Sequence, residues 1–192
     1  MSINLLTDVL LVALLLGVIA VYLSSTAGRL DRVHHRIETA AAALDAQLLR
    51  RAALSVELAE SGLLDPAAAL LLDDAARRAA AADPASSAER SGAESDLTRV
   101  LERLFPEPAD VDELLTTGEP DDAVLVTELA ASCRRVELAR RFHNDAVGAA
   151  RELRRRWVVR WFHLAGRTPW PETVELADTA PAGLSGRWPD RG

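Results

Sequence analysis

Residues 30–58 read LDRVHHRIETAAAALDAQLLRRAALSVEL. Apolar side chains fall at Leu30, Val33, Ile37, Ala40, Leu44, Leu48, Leu54 and Leu58, mostly in steps of three and four. That is the period of one helix face, not the alternation of a strand. No proline interrupts before Pro66. The stretch predicts a long amphipathic helix, and composition extends the expectation to the whole chain. Ala and Leu dominate, and aromatic residues are 4%. Ala and Leu are strong helix formers, whereas strands want β-branched and aromatic side chains. The expected fold class is all-α.

Toward the N-terminus, residues 9–23 read VLLVALLLGVIAVYL, without a charge. Val9, Leu16 and Leu23 mark the start, middle and end of this run. Extended back to Ile3 it is about 20 residues, enough to cross roughly 30 Å of hydrocarbon. Asp8 sits near one interface, where a carboxylate reaches water. A cleaved signal peptide is the alternative. It wants a basic leading region, which MSINLLTD lacks, although Ser25, Thr26 and Ala27 form a passable cleavage site. Arg29, Arg32 and Arg36 follow the span and no Lys or Arg precedes it. The positive-inside rule then places the N-terminus outside and the bulk of the chain in the cytoplasm. Residues 1–23 are expected to be a transmembrane anchor and residues 24–178 a helical bundle.

Beyond residue 58, Ser61 and Gly62 supply a stop, and Asp65 before Pro66 supplies a fresh N-cap. A second helix is expected to about residue 82. Residues 83–95, DPASSAERSGAES, read as a flexible loop. Asp96 can cap a third helix over residues 97–105, ended by Pro106 and Pro108. A short turn of helix is expected at residues 111–116. A last, long helix is expected over residues 122–164, with Gly166 as its stop, and residues 179–192 read as a disordered tail. The predicted architecture is an N-terminal transmembrane helix followed by an antiparallel four-helix bundle. Its long first and last helices pair in the manner of an antiparallel coiled coil.

The net charge of −7 is unevenly spread. Residues 60–128 hold 17 acidic and 5 basic side chains, residues 129–170 only 3 acidic and 10 basic. A nucleic-acid surface is disfavoured, because the basic patch is single-ended on an otherwise acidic chain. Cys133 is the one cysteine and forms no internal disulfide; a small buried apolar role suits it. His34, His35, His143 and His163 have no ligand partner at helical spacing, and no Cys-x-x-Cys, His-Glu-x-x-His or glycine-rich phosphate loop occurs. No catalytic residue, metal site, cofactor or small-molecule substrate is expected.

Two stretches are more specific than periodicity requires. One holds Leu44, Asp45, Gln47, Leu48, Arg50 and Arg51; the other holds Ala139, Arg140, Arg141, Phe142, Asn144, Asp145, Ala146 and Val147. With a single N-terminal membrane helix, they make the chain resemble the LemA family of bacterial membrane proteins over roughly residues 24–151. The chain departs from the family pattern at Ala41, where a Trp is usual, and at Val56 and Glu57, where Pro-Asn is usual. It also carries an Arg/Trp-rich end after the second motif. The resemblance implies a cytoplasm-facing helical bundle on one membrane helix and carries over no catalytic residue.

Antiparallel pairing of the long helices predicts that the polar members of both motifs meet across one interface. Asp45 would face Arg140, and Arg50 and Arg51 would face residues 134–137. Gln47, Arg141, Asn144 and Asp145 complete this structural network, which would fix register more than add stability. The stretch RRRWVVRWF at residues 154–162 asks for another explanation. With alternating helix directions, the last helix must return to the membrane beside Arg29 and Arg32. There Arg154, Arg155, Arg156 and Arg160 would meet anionic headgroups, and Trp157, Trp161 and Phe162 would sit at headgroup level. Packing of the tryptophans inside the bundle is the alternative. The functional expectation is a non-enzymatic, single-pass scaffold or interaction module on the cytoplasmic face of the inner membrane. Its expected partners are anionic lipid and an unidentified membrane or cytoplasmic protein. A single-pass sensor transmitting change along the stalk helix is the rival.

Overall fold

The computed structural model describes residues 2–83, 86–161 and 170–187. It is all-α, as the periodicity predicts. The described residues form six α-helices: α1 (Ser2–Glu60), α2 (Pro66–Ala81), α3 (Ser87–Leu104), α4 (Pro108–Thr117), α5 (Pro120–Arg155) and α6 (Trp157–Trp161). One turn of 3-10 helix follows at Ala182–Leu184. The chain divides into two compact units, Met1–Thr39 with Asp145–Glu172, and Ala40–Asn144 with Thr173–Gly192. The chain passes between the units at residues 39/40, 144/145 and 172/173.

In the first unit, α1 carries the one helix segment among the described residues that is long and apolar enough to cross a membrane. Val9 and Leu16 are exposed, with Leu10, Leu11, Val12, Leu14 and Leu15 between them. A belt of leucine and valine with no protein cover is what a lipid-facing helix presents. Leu23 is partly buried, and the helix continues through Gly28 without a break. Leu30 and Val33 then pack against Leu153 of α5 and Val159 of α6, forming a small separate core.

The second unit holds the main core. Leu54, Leu58, Leu72, Leu97, Leu101, Phe105 and Leu129 are essentially inaccessible to solvent. Local signals place the helices around them. Ser61 and Gly62, the latter with φ +84°, end α1. The Asp65 carboxylate accepts hydrogen bonds from the amides of Ala67 and Ala68 at 3.0 and 3.1 Å, and Pro66 opens α2. Phe105, whose amide still donates to the Leu101 carbonyl, closes α3 just before Pro106. The Asp122 carboxylate accepts from the Glu119 amide at the start of α5.

Three expectations are corrected. The loop expected at residues 83–95 is helical from Ser87 onward; residues 84 and 85 lie outside the described residues. The reason lies in the stripe of Leu97 and Leu101, which extends back one turn to Glu94 and a second to Arg90, both held by partners on α1. The expected tail is ordered through Arg187: Leu184 is fully buried in the main core, and the Gly183 amide donates to the Phe105 carbonyl at 3.0 Å. Residues 188–192 lie outside the described residues. The long last helix stops at Arg155, and α6 follows a break at Arg156.

Candidate functional site

In the first unit, arginines from two helices converge. Arg29, Arg32 and Arg36 lie at i, i+3 and i+7 on α1, one face of the helix. With Arg156, they line a cleft of about 370 Å³ whose apolar wall is Val33, Ala149 and Leu153. Glu152 is the single acid there. None of the four arginines makes an ion pair among the described residues. Four guanidinium groups with one carboxylate between them leave a net positive field, and like charges in one cleft favour the entry of an anion.

The break at Arg156 sets the surface beside this cleft. The Arg156 amide donates to the Leu153 carbonyl, and the Arg160 amide to the Arg156 carbonyl, each at 3.2 Å. The turn sends Val159 into the core and leaves Trp157 69% and Trp161 77% exposed. The two rings, four residues apart, meet edge to face with centroids 6.4 Å apart. Arg154 places its guanidinium 5.1 Å from the centre of the Trp170 ring, a cation–π contact. Arg151 donates to the Pro171 carbonyl at 2.8 Å. Arg155 and Arg160 point to solvent. Phe162 lies outside the described residues. Packing of Trp157 and Trp161 inside the bundle, the alternative weighed from sequence, does not occur.

The two motifs occupy the second unit, apart from Asp145, Ala146 and Val147 at the end of the second, and their polar members are dispersed rather than joined in one network. Asp45 pairs with Arg90 of α3 at 2.8 Å, not with Arg140. Gln47 accepts from Arg135 at 3.2 Å, and Arg50 donates to Glu128 at 2.6 Å, both across the α1–α5 interface. Arg51 turns the other way. Its side chain is 1% exposed and binds the equally buried Glu94 at 2.7 Å and the Thr98 hydroxyl at 3.0 Å. Its Nε has no partner. Arg141 pairs with Glu137 along its own helix. Asp145, in the first unit, is exposed and makes no ion pair among the described residues.

Arg140 and Asn144 hold the C-terminal segment. Arg140 donates through Nε and Nη2 to the carboxylate of Asp178, at 2.5 and 2.9 Å. The hydrogen bonds to Asp178 raise the affinity of Arg140 for its proton, against a smaller opposing effect of burial. Asn144 donates to the Val174 carbonyl at 3.1 Å and accepts from the Val174 amide at 2.9 Å. The Ser95 hydroxyl accepts from the Ala177 amide at 3.0 Å, and the Thr98 hydroxyl donates to the Ala177 carbonyl at 2.8 Å. Arg90, Glu94, Thr98 and Asp178 are thus among the partners that sequence reading did not supply. The spacing of Glu94 to Thr98 and Leu101 on one helix face carried a signal; nothing in the sequence linked Asp178 to Arg140.

Buried polar groups remain. His143 is buried with its Nδ1 unpaired, and Ser132 is buried with its hydroxyl unpaired. Cys133 lies in the main core, where burial pushes its thiol pKa up and the nearby Arg51 pulls it partly back. Among the described residues, no group of three or more His, Cys, Asp or Glu side chains could hold a metal ion. No family model, curated protein or solved structure matches the chain.

Proposed function

We propose that this protein is a non-enzymatic, single-pass membrane scaffold whose arginine and tryptophan end rests on the anionic face of the membrane it is anchored in. The observation that carries the reading is the convergence of Arg29, Arg32, Arg36 and Arg156, beside exposed Trp157 and Trp161, in the unit that contains the apolar span. Arg29 follows Leu23 by six residues, about 9 Å along a helix. That distance suits the headgroup layer, where a cationic side chain near the surface contributes roughly 1 kcal/mol and amphipathic rings are favoured. The arginines after the span support a cytoplasmic placement of the helical units, on the inner membrane if the source is bacterial. The two motifs' likeness to the LemA family supports the same reading.

The full-length chain in lipid nanodiscs provides the test. Trp170→Phe and Trp188→Phe leave Trp157 and Trp161 as the only tryptophans. Lipids brominated near the headgroup end of the acyl chain should quench their fluorescence, more so when anionic lipid is present and less at high salt. Unquenched fluorescence in anionic discs would remove the surface-anchor reading.

A sensor reading has one observation in its favour. Helix α1 is continuous from Ser2 to Glu60, so a rotation or shift of the apolar span has an uninterrupted element to act on. Helix-breaking insertion of two glycines after Gly28 should leave a scaffold functional and uncouple a sensor.

A further inference from the structure

Residues 173–178 lie extended against α3 and α5. Their side chains alternate: Val174, Leu176 and Asp178 are partly or fully buried, while Glu175 and Ala177 are exposed. Most of the polar hold on this segment is on its backbone. The Asn144 amide takes both the N–H and the C=O of Val174, while Ser95 and Thr98 take those of Ala177. Any residue offers the same groups at those two positions. One side chain is read by charge, Asp178 by Arg140. Repeated backbone contacts with one charge-selecting contact are how grooves accept extended peptides.

The segment does not fill the space it crosses. A cleft of about 320 Å³ remains beside Val174 and Leu176, lined also by Leu44, Leu48 and the paired Asp45 and Arg90. That volume is within the range of sites that take a ligand group. Val174 packs against the Leu44 and Leu48 cluster and itself lines the cleft, so a larger ring in its place would extend into the open space beside it. Further along, the hold is of another kind. A Cβ on Gly183 would sit 2.7 Å from the Phe105 carbonyl oxygen, and Leu184 is fully buried, so this part is locked by shape.

We propose that the groove formed by Leu44, Leu48, Arg90, Ser95, Arg140 and Asn144 is a peptide-recognition site for which residues 173–178 serve as an internal surrogate. Its partner is an extended segment with an aromatic side chain at the place of Val174 and a carboxylate four residues later, at the place of Asp178. Leu184 stays seated while the partner displaces residues 173–178. The proposal deepens the scaffold reading by giving its partner a chemistry, and it does not depend on contact with lipid.

Fluorescent peptides test it on the full-length chain in detergent micelles. The probes are residues 171–179, PETVELADT, the same peptide with Val174→Phe, and the Val174→Phe peptide with Asp178→Arg added. The receptor is the wild-type chain or one carrying Asp178→Asn, which loosens the surrogate and leaves the groove intact. The Asp178→Asn chain should bind the Val174→Phe peptide about tenfold more tightly than the wild-type chain does, a difference of roughly 1.4 kcal/mol. It should bind the unmodified peptide less well and the Asp178→Arg peptide not at all. A helical Asp178→Asn chain that binds no peptide overturns the proposal. Concentration-dependent dimers of that chain that exclude the peptide also overturn it, because the groove then takes the same segment from a second copy. If Asp178→Asn abolishes the helical signal, a protease site inserted within residues 164–168 of the full chain replaces it. Exchange of labelled peptide into the cut protein supports the proposal; no exchange, or unfolding on cutting, overturns it.

Discussion

Arg140 grips Asp178 through two parallel hydrogen bonds, although 38 residues separate them. The Asp178 side chain is 7% exposed and that of Arg140 21%, so the pair is mostly withdrawn from water. A bidentate, partly desolvated pair of this kind contributes more than a surface ion pair. Arg140→Ala and Asp178→Ala should each destabilise the second unit, by about 1.5–3 kcal/mol on the usual scale of charged hydrogen bonds. The double variant should cost clearly less than the sum, measured by denaturant unfolding of the full chain. Asp45→Ala and Arg140→Ala, in contrast, should add independently, because Asp45 belongs to Arg90.

That contrast marks where sequence reading reached its limit. The apolar period of residues 30–58 located the long helix and its antiparallel partner, and the Arg50–Glu128 and Gln47–Arg135 contacts lie on that interface. Arg156 does lie beside Arg29 and Arg32, the neighbourhood expected for the Arg/Trp end. The partners of Asp45 and Arg140 were not legible. Both are set by segments that lack a helical signal of their own. Residues 87–95 are small and polar, and their helix continues the Leu97 and Leu101 face through Glu94 and Arg90, which meet charges on α1. Residues 173–184 have no helical period and are ordered by backbone hydrogen bonds, by the Asp178 carboxylate on Arg140, and by the packing of Val174 and Leu184. Tertiary partners, which local pattern does not encode, decide such segments.

Arg51 and Glu94 are each about 99% and 98% withdrawn from solvent, so their ion pair is a desolvated one. Replacing one member strands the other as a buried charge and should cost about 3–5 kcal/mol. Replacing both with apolar residues of similar size removes that penalty. Arg51→Met and Glu94→Leu should therefore each lower the denaturation midpoint sharply, and the double variant should recover most of the loss. A double variant as unstable as the worse single one would mean that the pair is itself a large net stabiliser.

Two glycines should respond in opposite senses to the same substitution. A Cβ at Gly183 would lie 2.7 and 2.8 Å from the carbonyl oxygens of Phe105 and Glu107, and backbone atoms cannot give way cheaply. Gly183→Ala should destabilise by about 1–3 kcal/mol, the usual cost of overpacking. Gly92 lies inside α3 with nothing within 4 Å of an added Cβ. Gly92→Ala should stabilise by about 0.5–1 kcal/mol, the helix preference for alanine over glycine. Melting temperatures of the two variants should fall on either side of the wild-type value. A stable Gly183→Ala protein would show that the C-terminal turn is not packed against α3 in solution.

Cys133 gives a pH-dependent test of the same core. Burial raises its thiol pKa above the ordinary 9.0, because the thiolate would lose its water. The direction of the stability change follows. Below about pH 9 both folded and unfolded chains hold the proton, and the group contributes nothing that varies with pH. As pH rises through the ordinary value, the unfolded chain ionises first and binds fewer protons than the folded one. Unfolding is then favoured progressively, until the folded thiol also ionises. Stability should therefore fall with a steeper alkaline slope in the wild-type chain than in Cys133→Val, starting near pH 9. Below that pH, a thiol reagent should label Cys133 only on unfolding, at the same denaturant concentration that removes the helical signal. Rapid labelling of the native protein at neutral pH would show that solvent reaches Cys133, and with it the interior that α1, α3 and α5 enclose.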